Sequence, residues 1–347
     1  MAERVLIHIG QPKTGTTYLQ TIAWAHRELL EERDRVRLPA DRADHLWASL
    51  AVREDPRLAS RSERAPGAYD RVLRGIEEWD GTAVVTHEFF GAATAEQAAR
   101  FVDRIAADRV EVLVTAREPV GLTAAAWQES LKRGRTTPLR AFATEPSDDP
   151  TDVWSLRSID LADVLDRWAP AVPEGHTHVL VLPRRRGAPD ELWHRFAALV
   201  GIGADDIDVD VARGNPSMAL ADVEFLRRFH PYNNPRMDSL TARNRWVRRY
   251  LTEGHLAGRP GDRVGLHPDQ VAAARERGRR ALAALERHAV RVDGDPGDLL
   301  VPDDLPPQRT PDDVTPEELV DAGLRTVLAV AADLAGTRAA DPGATGR

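Results

Sequence analysis

Short apolar runs alternate with longer amphipathic stretches through about the first 200 residues. Val5-Leu6-Ile7-His8-Ile9 holds β-favouring side chains and is closed by Gly10, so it reads as a buried strand. A polar turn leads into Tyr18–Glu32, where Leu19, Ile22, Ala23, Leu29 and Leu30 recur at helical spacing. Ala83–Thr86 precedes a helix-like Thr94–Ala107, and Val110–Thr115 precedes a helix over about Leu122–Arg133. Val179–Leu182 precedes Asp190–Val200. Strands that alternate with helices, and are apolar on both faces, predict an α/β fold: a three-layer sandwich with a mainly parallel sheet. His176 and His178 flank Thr177 where the fourth run begins, which suggests an edge strand.

From about Pro216 the pattern becomes helical, over Ala219–Phe229, Arg236–Leu251, Gln270–His288 and Glu317–Ala335. The expected organisation is an α/β core over 1–215 and a helical extension over 216–300 packed on that core. A Pro-rich linker, terminal helix and tail follow over 301–347, the tail frayed from Ala339. Thr136–Trp154 reads as a long loop, Pro183–Gly187 with its three arginines as a solvated one, and Asn215-Pro216-Ser217 as a helix cap.

Composition narrows the chemistry. The chain has 347 residues, 47 Lys+Arg against 55 Asp+Glu, and a net charge of −8, which disfavours a general nucleic-acid binder. It has no cysteine, so thiol nucleophiles, disulfide scaffolds and Cys-ligated metals are excluded. The histidines show no metal-ligand spacing, and no metal is expected. No run approaches the ~18–20 apolar residues of a membrane span, and the N-terminus shows no signal-peptide core, so a cytoplasmic location is expected. Lysine occurs only at Lys13 and Lys132, the other basic residues being arginine. Each lysine therefore raises the question of whether an ammonium is needed there.

Lys13 falls in Gly10-Gln11-Pro12-Lys13-Thr14-Gly15-Thr16-Thr17, between the first strand and the first helix. Backbone N–H groups at such a turn, aided by the helix dipole, form an anion cradle. Gly15 permits a tight curl, Thr16 and Thr17 add hydroxyls, and Lys13 adds a mobile point charge. The spacing of Gly10 and Gly15 is that of a Walker A loop, but Thr16 stands where the Walker lysine belongs.

Pro12-Lys13-Thr14-Gly15-Thr16-Thr17 resembles the 5′-phosphosulfate loop of the sulfotransferases that use 3′-phosphoadenosine 5′-phosphosulfate (PAPS), in outline over residues 5–200 and in the manner of a bacterial branch. The resemblance implies a P-loop NTPase-like fold and an enzyme that moves a sulfuryl group to a hydroxyl or amine of a small molecule, glycolipid or glycan. It implies cofactor contacts from Gln11, Pro12, Lys13, Thr14, Gly15, Thr16 and Thr17, and a 3′-phosphate contact from Arg117 in Ala116-Arg117-Glu118-Pro119. The serine expected eight residues further on is replaced by Ala125; Ser130 is the favoured substitute, with Thr123 and Gln128 as alternatives. Lys132 ends this helix, either stabilising its C-terminus or meeting a phosphate. The base is implied to be His87 or Glu88, in Thr86-His87-Glu88 at the end of the second strand, with Glu88 favoured. The family's usual C-terminal cofactor loop has only a faint echo in Arg259–Gly265. The alternatives are a P-loop small-molecule kinase and a non-catalytic binder of adenosine 3′,5′-bisphosphate.

Overall fold

The computed structural model describes residues 1–340 except 146, 185, 186, 189, 213–215 and 238. Arg185, Arg186, Asn215 and the tail from 341 therefore lie outside the described residues. The strands are β1 (Arg4–His8), β2 (Val36–Arg37), β3 (Thr82–Thr86), β4 (Val110–Ala116), β5 (Thr177–Val181) and β6 (Arg291–Asp293). They form one sheet in the order β2-β3-β1-β4-β5-β6, and every pairing is parallel.

Helices α1 (Thr16–Ala25), α2 (Arg27–Asp34), α3 (Arg42–Val52), α4 (Ala68–Glu77) and α5 (Ala95–Asp103) connect the first strands. Next come α6 (Pro119–Lys132), α7 (Leu156–Ile159), α8 (Leu161–Trp168) and α9 (Glu191–Val200). The rest are α10 (Leu220–Asn233), α11 (Leu240–Ala242) running into a π-helix at Arg243–Leu256, α12 (Pro268–Arg287) and α13 (Pro316–Ala340). The architecture is a three-layer α/β sandwich.

Side chains alternate across the strands, and this divides the core in two. Val5, Ile7, Val85, Val112, Val114 and Val179 pack with Val72, Ile76, Phe101, Trp168 and Ala284 on one face. Leu6, Val84, Leu113 and Leu180 pack with Leu19, Ile22, Leu30, Trp193 and Phe196 on the other. Glu111 is a buried carboxylate in β4: burial opposes its charge, but His178 and Arg4 more than compensate and hold its carboxyl down to about 2. Arg4 also donates to the carbonyls of Val200 (2.8 Å) and Leu199 (2.9 Å), which ties the end of α9 to β1.

Several expectations are corrected. Tyr18–Glu32 is two helices broken at His26 rather than one. Strand β5 is interior and fully buried, not an edge strand, because β6 covers it. The residue before α10 is Ala219, so Ser217 does not cap that helix.

Two compact units are interleaved in sequence: Met1–Ala126, Ala143–Gly214 and Val271–Asp303 form the first, and Trp127–Phe142, Asn215–Gln270 and Asp304–Arg347 the second. The sheet lies wholly in the first unit. In the second, α13 packs on α10, where the Phe225 ring lies against Gly323.

Candidate functional site

The site is built at the C-terminal edge of three adjacent strands. His8 pairs with Thr86 of β3 on one side and with Leu113 of β4 on the other. The loop after β1, His87-Glu88 after β3, and Arg117 after β4 therefore emerge side by side. In an open α/β sheet this edge is where ligands bind.

The loop leaves β1 by a bond from the Gln11 amide to the Thr115 carbonyl (2.9 Å). Lys13 has φ 68°, a left-handed conformation costly for a residue with a Cβ, and Gly15 follows at φ 84° as the N-cap of α1. A side chain at residue 15 would strike Leu192, and one at Gly10 would come within 2.7 Å of Thr115 Oγ1. Among the described residues, no chain acceptor takes the amide hydrogens of Gly15, Thr16 or Thr17. The buried Thr16 hydroxyl likewise has no hydrogen-bond partner; the unpartnered Gln11 Oε1 is an acceptor and adds no donor. Unsatisfied donors gathered beside a lysine at a helix N-terminus fit a phosphate- or sulfate-sized anion.

Beneath the loop runs a buried chain of hydrogen bonds. Thr14 Oγ1 donates to the Gln11 carbonyl (2.6 Å), so in its 2.6 Å contact with Thr115 Oγ1 it accepts. Thr115, having given its hydrogen, accepts from His8 Nε2 (3.3 Å). His8 Nδ1 then accepts from Thr86 Oγ1 (2.9 Å), which itself accepts from Gln20 Nε2 (3.3 Å). The single carbonyl at one end thus sets every hydrogen, and the neutral Nε2–H form of His8 is the one that satisfies the chain. Burial lowers the His8 pKa to about 4, Glu88 opposing and His87 reinforcing it. His45, which accepts the Thr86 amide at Nδ1 (3.0 Å) and donates to the Pro39 carbonyl (2.7 Å), is also lowered to about 4, chiefly by burial.

Both histidines stay neutral in the folded protein but take up protons when it unfolds below the ordinary histidine pKa of 6.5. Stability is therefore present above pH 6.5 and lost as pH falls towards 4. Each histidine contributes a slope of about 1.4 kcal/mol per pH unit. Urea unfolding between pH 6 and 5 is expected to show a combined slope of about 2.7 kcal/mol per pH unit from the pair, and His45→Gln to remove half of it. A flat profile would mean that these rings are protonated in the folded state.

His87 caps the 3-10 turn Glu88–Ala92, its Nδ1 accepting the Phe89 amide (3.1 Å). An amide can only donate, so the neutral ring carries its hydrogen on Nε2. Glu88 Oε2 lies 3.8 Å from that Nδ1. Burial lowers the pKa of Arg42, at the start of α3, and the negative charge of Glu88 pushes it back, so a cation sits within the field of Glu88. The turn is held from behind. Arg167 donates to the carbonyls of Gly91 (2.8 Å) and Ala93, Arg157 to Ala92 (2.5 Å), and Trp168 to Phe90 (3.2 Å).

Arg117 lies 3.4 Å from Glu118, whose carboxylate accepts the amides of Val120 and Gly121 (both 2.7 Å) and caps α6. Burial raises the Glu118 pKa, with Arg117 and the two amides opposing. Ser130 lies ~16 Å along α6 from Pro119 at 1.5 Å per residue, and its hydroxyl donates to the Trp127 carbonyl (2.7 Å). Thr123 is nearer the start of α6, donating to the Pro119 carbonyl (2.7 Å) and accepting from the buried Arg277 (3.0 Å). Lys132 is buried at the end of α6, 3.9 Å from Glu129.

His8, Thr115, Arg42, Arg157, Arg167 and Arg277 were missed from sequence. A histidine inside an apolar strand was a usable signal. The arginines carried none, being a few among many. Among the described residues, no group of three or more His, Cys, Asp or Glu side chains is placed to hold a metal, and no helix is long and apolar enough to cross a membrane. No protein-family model matches the chain, and no curated protein matches it.

Proposed function

We propose that this protein is a sulfotransferase that moves a sulfuryl group from PAPS to a hydroxyl or amine of a small-molecule, glycolipid or glycan acceptor. One observation carries the proposal: the Gly10–Thr17 loop holds unsatisfied donors around Lys13, beside a strand end that presents Glu88. Bound there, the donor supplies an activated sulfuryl group on a phosphate leaving group.

The loop amides, Thr16 and Lys13 meet the negative charge that grows on the phosphate oxygen as the sulfur–oxygen bond breaks. Glu88 takes the acceptor's proton while the acceptor atom bonds to sulfur, and adenosine 3′,5′-bisphosphate departs. Glu88 suits this role better than His87, because His87 Nδ1 accepts the Phe89 amide and the hydrogen of the neutral ring is on Nε2. Arg117 reaches the 3′-phosphate by exchanging its contact with Glu118. Thr123 and Ser130 both donate their hydroxyls to backbone carbonyls, and whichever meets that phosphate exchanges this bond for it.

Thermal unfolding tests the nucleotide class. Adenosine 3′,5′-bisphosphate at about 100 times its dissociation constant is expected to add about 2.7 kcal/mol of stability, while ATP with Mg²⁺ adds little. The reverse pattern would favour a small-molecule kinase and overturn the proposal.

A further inference from the structure

We propose that two copies of this chain associate through the outward face of α13. On this helix Val320, Leu324, Val327 and Leu328 are 61%, 59%, 65% and 69% exposed. Val320, Leu324, Val327 and Ala331 follow one another at intervals of four, three and four residues, and Leu334 continues the series. That alternation is the signature of a seam between two helices. The opposite face is already used: Ala322 and Thr326 are buried, and Gly323 lies under the Phe225 ring of α10.

Size points to a protein partner. The exposed Val and Leu side chains with the neighbouring alanines present ~600–700 Å² per copy, so pairing two such faces buries ~1,200–1,400 Å², within the range of specific interfaces. A contiguous apolar patch of that extent is uncommon on a monomer.

Charge and symmetry choose the partner. Along the rim the carboxylates are largely paired: Arg309 holds Glu318 (2.7 Å), Arg325 holds Asp321 (2.7 Å) and His255 lies 3.0 Å from Asp333. Such a rim offers no excess of lysine and arginine, with which amphipathic helices normally approach an anionic lipid surface, and its paired charges do not oppose a second identical rim. Residues 341–347 (Asp-Pro-Gly-Ala-Thr-Gly-Arg) contain no large apolar side chain to cover the stripe. A second copy brings an identical uncharged seam, and a two-fold pairing closes without leaving an apolar face open. This inference is independent of the proposed activity.

Sedimentation velocity on the full chain at tens of micromolar is expected to give twice the 38.3 kDa of one chain. The double variant Leu324→Glu, Val327→Glu is expected to run as a folded monomer with an unchanged circular dichroism spectrum. Because the chain has no cysteine, Val327→Cys alone is expected to give a disulfide-linked dimer on mild oxidation, whereas Ser60→Cys, on an exposed loop, is not. A wild-type monomer overturns the proposal. So does a dimer that survives the double substitution, equal cross-linking from both cysteine variants, or a monomer that binds phosphatidylserine vesicles through this helix.

Discussion

Replacing Lys13 by alanine is expected to abolish sulfuryl transfer, with a loss of about 10³-fold or more in turnover. Removing one neutral oxyanion donor costs about 10²–10³-fold, and Lys13 brings a full charge to the breaking bond. Binding should suffer less, because the amides of Gly15 to Thr17 remain to hold the anion. The expected pattern is therefore a collapse of turnover with only a modest fall in the stabilisation given by adenosine 3′,5′-bisphosphate. Lys13→Arg is expected to rescue poorly, since a planar fork does not replace a compact ammonium on the left-handed backbone at residue 13. The measurement is transfer from PAPS labelled in its sulfuryl group to a panel of phenol, saccharide and amine acceptors. Near-normal turnover of Lys13→Ala on any acceptor the wild type uses would refute the role.

Glu88→Gln is expected to lower turnover by about 10²–10⁴-fold, the usual worth of a general base. Its shape is kept, so nucleotide stabilisation should persist. His87→Asn provides the contrast, because the asparagine oxygen can still accept the Phe89 amide and preserve the 3-10 turn. That variant is expected to keep activity within about tenfold of the wild type. The opposite ranking, with His87→Asn inactive and Glu88→Gln active, would transfer the base to His87 and require its ring to release the Phe89 amide during catalysis.

Hydrophobic patterning located β1, β3, β4 and β5, because strands buried on both faces are apolar throughout. It passed over β2 and β6, which have two and three residues and are too short to show a period. Helices α3, α4, α7 and α8 were also unread. In α3 the apolar positions are interrupted by Asp44, His45 and Ser49, which are buried with their polar groups met by Arg71 of α4, by the Pro39 carbonyl just before the helix and by the Leu46 carbonyl within it. The Gly10–Thr17 loop was legible because its chemistry is local: glycine, lysine and hydroxyls lie within one turn.

The sequence by itself determined the alternation of strand and helix, the position of the loop between the first strand and the first helix, and the lack of thiol chemistry. Those properties depend on residues close together in the chain. Only the tertiary structure decided that β1 lies between β3 and β4, so that Lys13, Glu88 and Arg117 meet at one sheet edge. It alone decided the hydrogen positions on His8, and which face of α13 stays exposed. The physical reason is common to all three. Strand order, tautomers and burial are set by contacts between residues tens to hundreds of positions apart, and no local pattern encodes them.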